Sequence, residues 1–298
     1  MLQEFDSRNE NIQVFIKDRL YLRKEAKISV FDSAVQGGDA VWEGLRVYPE
    51  GIVCLDKHLI RLQESAKTLA FEDIPSKGFI KNAIQQTLEA NEMNDETHIR
   101  LTLTRGEKIT SGMDPRLNQN GSCLIVLAEW KPLVYDNTKG IKVISTSVRR
   151  NAPQFLDSKI HHANLLNNII AKIQANIAGK DAGLMLDEFG FVAELNGTNV
   201  FMIKHGCVYT PQAHACLPGI TRNTILDLCV ANNIEIKEEN LTLSQFINAD
   251  AAFATGTMGE LTPIVEIDGR TIAKSSNLLD SIFKLFREHV KTLCEPII

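Results

Sequence analysis

The chain has 298 residues, 44% of them hydrophobic and 23% charged, with a formal net charge of −5. That length suits two domains of ordinary size, and such a composition builds a soluble globular core without disulfides or a metal. Net negative charge argues mildly against non-specific nucleic-acid binding, and no run of Lys and Arg offsets it: Arg149-Arg150 is only a pair and reads as a solvated face.

The start, MLQEFDSRNENIQVF, lacks the basic stretch and apolar run of a signal or transit peptide. No apolar run approaches the roughly 20 residues that span a bilayer. Cys54, Cys123, Cys207, Cys216, Cys229 and Cys294 are scattered, with no C-x-x-C and no zinc-finger histidines. Buried free thiols in a cytoplasmic protein are expected, with no metal and no membrane.

In chain order, β-rich runs occur at 12–16, 44–48 and 51–55. A helix is predicted from Asp56 as N-cap, with Leu59, Leu62, Ala66 and Leu69 on one stripe. A second runs from near Ser76 to about Asn91, and strands follow at 98–105 and 122–130. Pro, Asp, Asn and Gly crowd into KPLVYDNTKG, so 131–140 reads as a linker between domains 1–130 and 141–298. Beyond it come a strand at 141–148, a helix from about Ala163 and short strands between 183 and 209. A helix opens after Pro218-Gly219, and the last starts near Asn277. The pattern implies mixed α/β and α+β domains with a ligand cleft between them.

Several short motifs carry little. AxGxxG at 254–259 lacks the first glycine and the later acidic residue of a dinucleotide turn. DEFG at 187–190 reads as a turn between strands. His161 and His162, being adjacent, point in different directions and suit no shared metal. LPGITR at 217–222 is more informative. Pro-Gly ahead of a helix aims the N–H groups of Ile220 and Thr221 at an anion. The small-residue turn TGT at 255–257 and the fixed charge of Arg61 add to a phosphate cradle.

VFDSAVQGGDAVWEGLRVY, LDKHLIRLQESAKTL, HIRLTLTRG, SKIHHANLLNN, GFVAELNGTNVF, CLPGITRNTILDLC and ATGTMGELTPIVEIDG follow one another between residues 28 and 270. In that order they resemble the class IV (fold-type IV) aminotransferases that depend on pyridoxal 5'-phosphate, above all the branched-chain amino-acid enzymes. The resemblance implies a two-domain fold of the D-amino-acid aminotransferase type, with the cofactor in the interdomain cleft, and a homodimer. It makes Lys159 the Schiff-base lysine and proton carrier, which calls for burial near a cation. It sets Glu194 against the pyridine nitrogen and gives Arg61, Leu217, Ile220, Thr221, Gly256 and Thr257 to the phosphate side, with Asn199 in support. For the substrate it implies Trp42, His98, Arg100, Trp130 and Asn164. Arg100 suits a carboxylate.

The pocket departs from the branched-chain pattern: Asn164, Gly37 and His98 stand where aromatic residues are expected. Fewer aromatic walls weaken the apolar burial, about 25 cal/mol per Å², that selects branched side chains. The expected reaction moves an amino group from a branched-chain or related amino acid to 2-oxoglutarate by a ping-pong route. The alternatives are D-amino-acid or (R)-amine transamination, an aminodeoxychorismate-type lyase, and an idle binding protein on the same fold.

Overall fold

In the computed structural model, which describes residues 3–296, the apolar runs of the first 130 residues pair into one antiparallel sheet. Its strands are β1 (Gln13–Ile16), β2 (Arg19–Leu22), β3 (Ala40–Tyr48), β4 (Gly51–Val53), β5 (Thr97–Thr104) and β6 (Cys123–Trp130). A short strand at Cys294–Glu295 joins the edge, giving the order 294–295, β4, β3, β5, β6, β1, β2. Helix α1 (Ser33–Gly37) precedes β3; α2 (Leu55–Thr68) and α3 (Lys77–Ala90) pack on the sheet. Leu59, Leu62 and Ala66 of α2 join Ile80, Ile84 and Leu88 of α3 against Leu45, Val47, Ile99 and Leu101. Each large side chain so buried contributes about 1.5–3 kcal/mol.

The stripe on α2 is as the spacing predicts, but its start is not. The N-cap is Cys54, in the left-handed region at φ 49°, and Asp56 lies inside the first turn. Glu295 Oε1 accepts from the Asp56 N–H at 2.9 Å, while the Asp56 carboxylate pairs with Lys81 at 2.7 Å. A carboxylate distant in sequence therefore caps this helix.

The second sheet contains β7 (Ile141–Arg149), β8 (Ala182–Leu186), β9 (Val192–Leu195), β10 (Asn199–Lys204), β11 (Cys207–Pro211), β12 (Ile236–Glu239), β13 (Ala251–Gly256) and β14 (Glu260–Ile267). Their order is β12-β11-β10-β13-β14-β7-β8-β9, with β15 (Arg270–Thr271) paired to β14. The helices of this unit are α4 (Leu166–Ile177), α5 (Ile220–Ala231), α6 (Leu243–Ile247) and α7 (Asn277–Val290). Phe201 stacks on Phe253 with centroids 5.0 Å apart in its core. Helix α4 links the parallel pair β7 and β8, and lies so close that a Cβ on Gly183 would meet the Ala171 carbonyl oxygen at 2.8 Å. DEFG forms the β8–β9 turn, with Asp187 Oδ1 accepting from the N–H groups of Phe189 and Phe191. AxGxxG is the β13–β14 hairpin.

The chain divides by contact into residues 3–132, 160–164 and 291–296 in one unit, and 133–159 with 165–290 in the other. Residues 160–164 therefore belong with the first sheet, and α4 starts at Leu166 rather than near Ala163. The cause is the unpaired edge of β3. Trp42 N–H donates to the His161 carbonyl at 2.9 Å, and Ala163 N–H to the Ala40 carbonyl at 2.8 Å.

None of the six cysteines forms a disulfide. Burial pushes every thiol up: Cys216 to about 12, Cys123, Cys229 and Cys294 to about 11, with Cys54 and Cys207 raised too. Among the described residues no helix is long and apolar enough to cross a membrane, and no cluster could hold a metal ion.

Candidate active site

In the unit of the second sheet, β9 carries Glu194 into a buried position. Its Oε1 pairs with Arg150 Nε at 2.7 Å, and its Oε2 accepts from Asn199 Nδ2 at 3.0 Å. Burial raises the Glu194 carboxyl above its ordinary value, although Arg150 and the Leu217 N–H pull the other way. Arg150 is thus no solvated charge: it is buried, and its Nη1 also donates to Asn168 Oδ1 at 2.9 Å. The other half of the pair, Arg149, is exposed.

Asn199 ties this carboxylate to the turn before α5. Its Nδ2 donates to the Leu217 carbonyl at 2.8 Å, and a Cβ on Gly219 would sit 2.1 Å from its Oδ1. Only glycine fits there. Gly219 is the N-cap of α5 and brings no side chain to the N–H groups of the first turn, so those of Ile220 and Thr221 are left for an anion. Asn199 also pairs across the sheet with Thr255, next to Gly256 and Thr257. The hydroxyls of Thr255 and Thr198 are buried without a hydrogen-bond partner, and a Cβ on Gly256 would come within 3.0 Å of Thr198 Cγ2. Glu194, Leu217, Ile220, Thr221, Gly256 and Thr257 are therefore one neighbourhood. Open N–H groups and orphaned hydroxyls suit a phosphate, and a buried carboxylate suits a protonated ring nitrogen.

Lys159 does not share that environment. Its side chain is exposed, and its ammonium has no hydrogen-bond or ion-pair partner among the described residues. Its own N–H is held by Asp157 Oδ1 at 3.0 Å in a turn whose inward direction is taken by Ser158, buried and donating to the Asn151 carbonyl. The burial expected of a Schiff-base lysine is absent.

In the unit of the first sheet, β3 and α2 build a second polar cluster. Glu43 of β3 is fully buried. His58 and Arg61, three residues apart on α2, present the same face to it. Arg61 donates from Nε to Oε1 and from Nη2 to Oε2, both at 2.7 Å, and His58 Nδ1 lies 2.6 Å from Oε2. His161 Nδ1 lies 3.1 Å from Oε1. Burial alone would raise Glu43, yet His161 and Arg61 hold it well below the carboxylate range. Burial pushes the His161 imidazole down against the pull of Glu43.

Register places Trp42, Gly44 and Arg46 of β3 across from Thr102, Arg100 and His98 of β5, on one sheet face. Arg100 lies over the Trp42 ring, 3.4 Å from its centroid, and the His161 ring packs tilted against the same ring with centroids 4.1 Å apart. Burial lowers Arg100 to about 10, and burial with Lys131, Arg100 and Arg46 nearby lowers His98 to about 3. Trp130 falls elsewhere: it pairs with Thr97, on the opposite face, and packs on the apolar core. It is not brought together with Trp42 and Arg100. Asn164 is exposed and donates to the Gly38 carbonyl at 2.9 Å, so it braces the turn after α1. Glu43, His58, Arg150 and His161 were not singled out as site residues by the sequence. The one usable signal was that Glu43 and His161 lie inside matched segments, VWEG and SKIHH.

A family model, amino-transferase class IV, matches residues 40–267. The chain belongs to the class IV aminotransferase family. It is 55% identical to branched-chain-amino-acid aminotransferase-like protein 2 of Arabidopsis thaliana over 89% of this chain and 48% of that protein. It thus spans about half the length of that relative. It is 34% identical to a branched-chain-amino-acid aminotransferase of Pseudomonas aeruginosa, over 84% of this chain and 82% of that one. Among solved structures it superposes with TM-score 0.87 and 27% identity on the branched-chain aminotransferase of Thermoproteus uzoniensis with norvaline, covering 96% of both chains. A branched-chain amino acid aminotransferase complexed with N-(5'-phosphopyridoxyl)-L-glutamate superposes equally well, with TM-score 0.87 and 30% identity over 95% of both chains.

Proposed function

We propose that this chain is a pyridoxal-phosphate aminotransferase that moves the amino group of a branched-chain or related amino acid to 2-oxoglutarate. The neighbourhood of Glu194, Asn199, Thr255 and the open first turn of α5, in a chain of this family, carries the reading. Bound pyridoxal phosphate supplies an electron sink for the carbanion left when the amino acid loses its α-proton. The protein's share is binding and orientation. Ile220 and Thr221 N–H groups, with Gly256 and Thr257, would take the phosphate, and Glu194 would hold the proton on the ring nitrogen. Trp42 supplies an apolar wall, and Arg100 holds a substrate carboxylate.

A second copy of this chain fits the exposed face of α4. Leu166, Ile169, Ile170, Ile173 and Ile177 form one exposed apolar stripe, while Ala171 and Ala175 face the sheet. We read that stripe as a homodimer contact. Six thiols outside any disulfide suit a reducing, cytoplasmic compartment.

The test is to load the protein with pyridoxal phosphate and 2-oxoglutarate and supply L-leucine, D-alanine or an (R)-amine in turn. Glutamate formed with L-leucine, and less with the other donors, supports the reading. No amino transfer from any of the three sinks it.

A further inference from the structure

Resting on that reading of the reaction, we propose that His98 is a specificity-determining residue: with Arg100 it clasps the side-chain carboxylate of a dicarboxylic substrate, so the acidic partner of the exchange is preferred over the branched-chain one.

Three observations, all within the unit of the first sheet, carry this. The first is an unanswered hydrogen-bonding group. His98 of β5 is 9% exposed, and its Nε2 is buried with no hydrogen-bond partner in the protein. A buried polar group left so is rare and costly, and a ligand oxygen satisfies it. The second is direction. A Cβ on Gly44 would lie 3.3 Å from that Nε2 and 3.6 Å from the Trp42 ring, so the imidazole leans over the bare backbone of Gly44. Arg100 stands directly across from Gly44 in the register. Its guanidinium lies over the Trp42 ring and forms no hydrogen bond or ion pair among the described residues. Glycine thus keeps open a gap that His98, Arg100 and Trp42 surround.

The third is charge. Arg46, buried and opposite His98 on β3, and Lys131, just beyond β6, add their charges to that of Arg100 around the imidazole. None of the three has a carboxylate partner in an ion pair among the described residues. Glu43, whose charge reaches Arg100, is already held by Arg61, His58 and His161. Buried cations are normally paired, so such a cluster selects an anion. Burial and the same cations keep the imidazole neutral near pH 7, so it presents one N–H. A carboxylate is the acceptor that this N–H and the cations both favour. A branched apolar side chain in the same gap would leave Nε2 and the guanidinium unsatisfied, which is how a hydrogen-bonding site discriminates.

The test is steady-state kinetics of the cofactor-loaded enzyme, varying 2-oxoglutarate and L-leucine separately. His98→Phe keeps a ring and removes its N–H. The ratio of KM for 2-oxoglutarate to KM for L-leucine is expected to rise about tenfold or more in that variant. His98→Gln, which keeps an N–H, should recover most of the loss. A binding measurement stands beside the kinetics. Glutarate, which lacks the reacting carbonyl, should shift the His98 ring signals in NMR spectra of the loaded wild type, and 4-methylpentanoate at the same concentration should not. Equal changes in both KM values, or none, overturn the inference and leave the transamination reading standing, as does bound glutarate with unmoved His98 signals. Absence of amino transfer by the wild type overturns both. Should neither variant fold, the wild-type NMR titration decides.

Discussion

Glu43 shows how a single buried charge organises a neighbourhood. One guanidinium and two imidazoles are brought under β3 by one carboxylate with no solvent access. Neutralising it takes the counter-charge from Arg61, whose side chain is mostly shielded from solvent. Glu43→Gln is expected to cost about 3–5 kcal/mol in urea unfolding at neutral pH. The pH dependence follows from the depressed carboxyl. Its stabilisation is present above the ordinary carboxylate range, about pH 4.3, and is lost as pH falls through the lower folded value. His98 acts over a different window. Its imidazole is lowered from 6.5 to about 3, so the folded chain binds fewer protons than the unfolded one and stability falls as pH drops through that interval. His98→Gln should flatten stability between those values, read as the urea midpoint at pH 7 against pH 5. An unchanged slope would mean that burial of His98 is relieved in solution.

Elements with a local code were the most legible. The 3.6 spacing of Leu59, Leu62 and Ala66 is enough to place the buried face of α2, and Pro218-Gly219 marks the opening of α5. The phosphate-side residues were legible for the same reason: LPGITR and TGT are contiguous turns whose backbone shape follows from their own glycines. What escaped depends on partners distant in sequence. Glu295 caps α2, residues 160–164 pair with β3 rather than begin α4, and Arg150 is buried because Glu194, across the sheet, needs it. Lys159 lies in a matched segment, and its exposed side chain is likewise not something that segment's own spacing reveals. Where local code does rule, its energy is measurable. Thr242 and Gln245 form a reciprocal capping box on α6. Thr242→Ala is expected to cost about 1 kcal/mol, checked by chemical denaturation.

At the scale of the whole molecule, each sheet has its own apolar core, one around Leu45 and Leu101 and the other around Val143, Val200 and Ile264. The stripe on α4 serves neither. If a second copy covers it, Ile173→Glu should give a monomer in sedimentation velocity, and the wild-type melting temperature should rise with protein concentration. A wild-type chain that sediments as a monomer at every concentration would remove the homodimer proposal. The six thiols have a further use at this scale. The thiolate is the species that alkylates, and burial shifts all six thiols away from that form. The native cysteines are therefore quiet toward maleimides, and a cysteine introduced at the exposed position of Lys159 becomes a selective attachment point for a dye, with no native cysteine deleted.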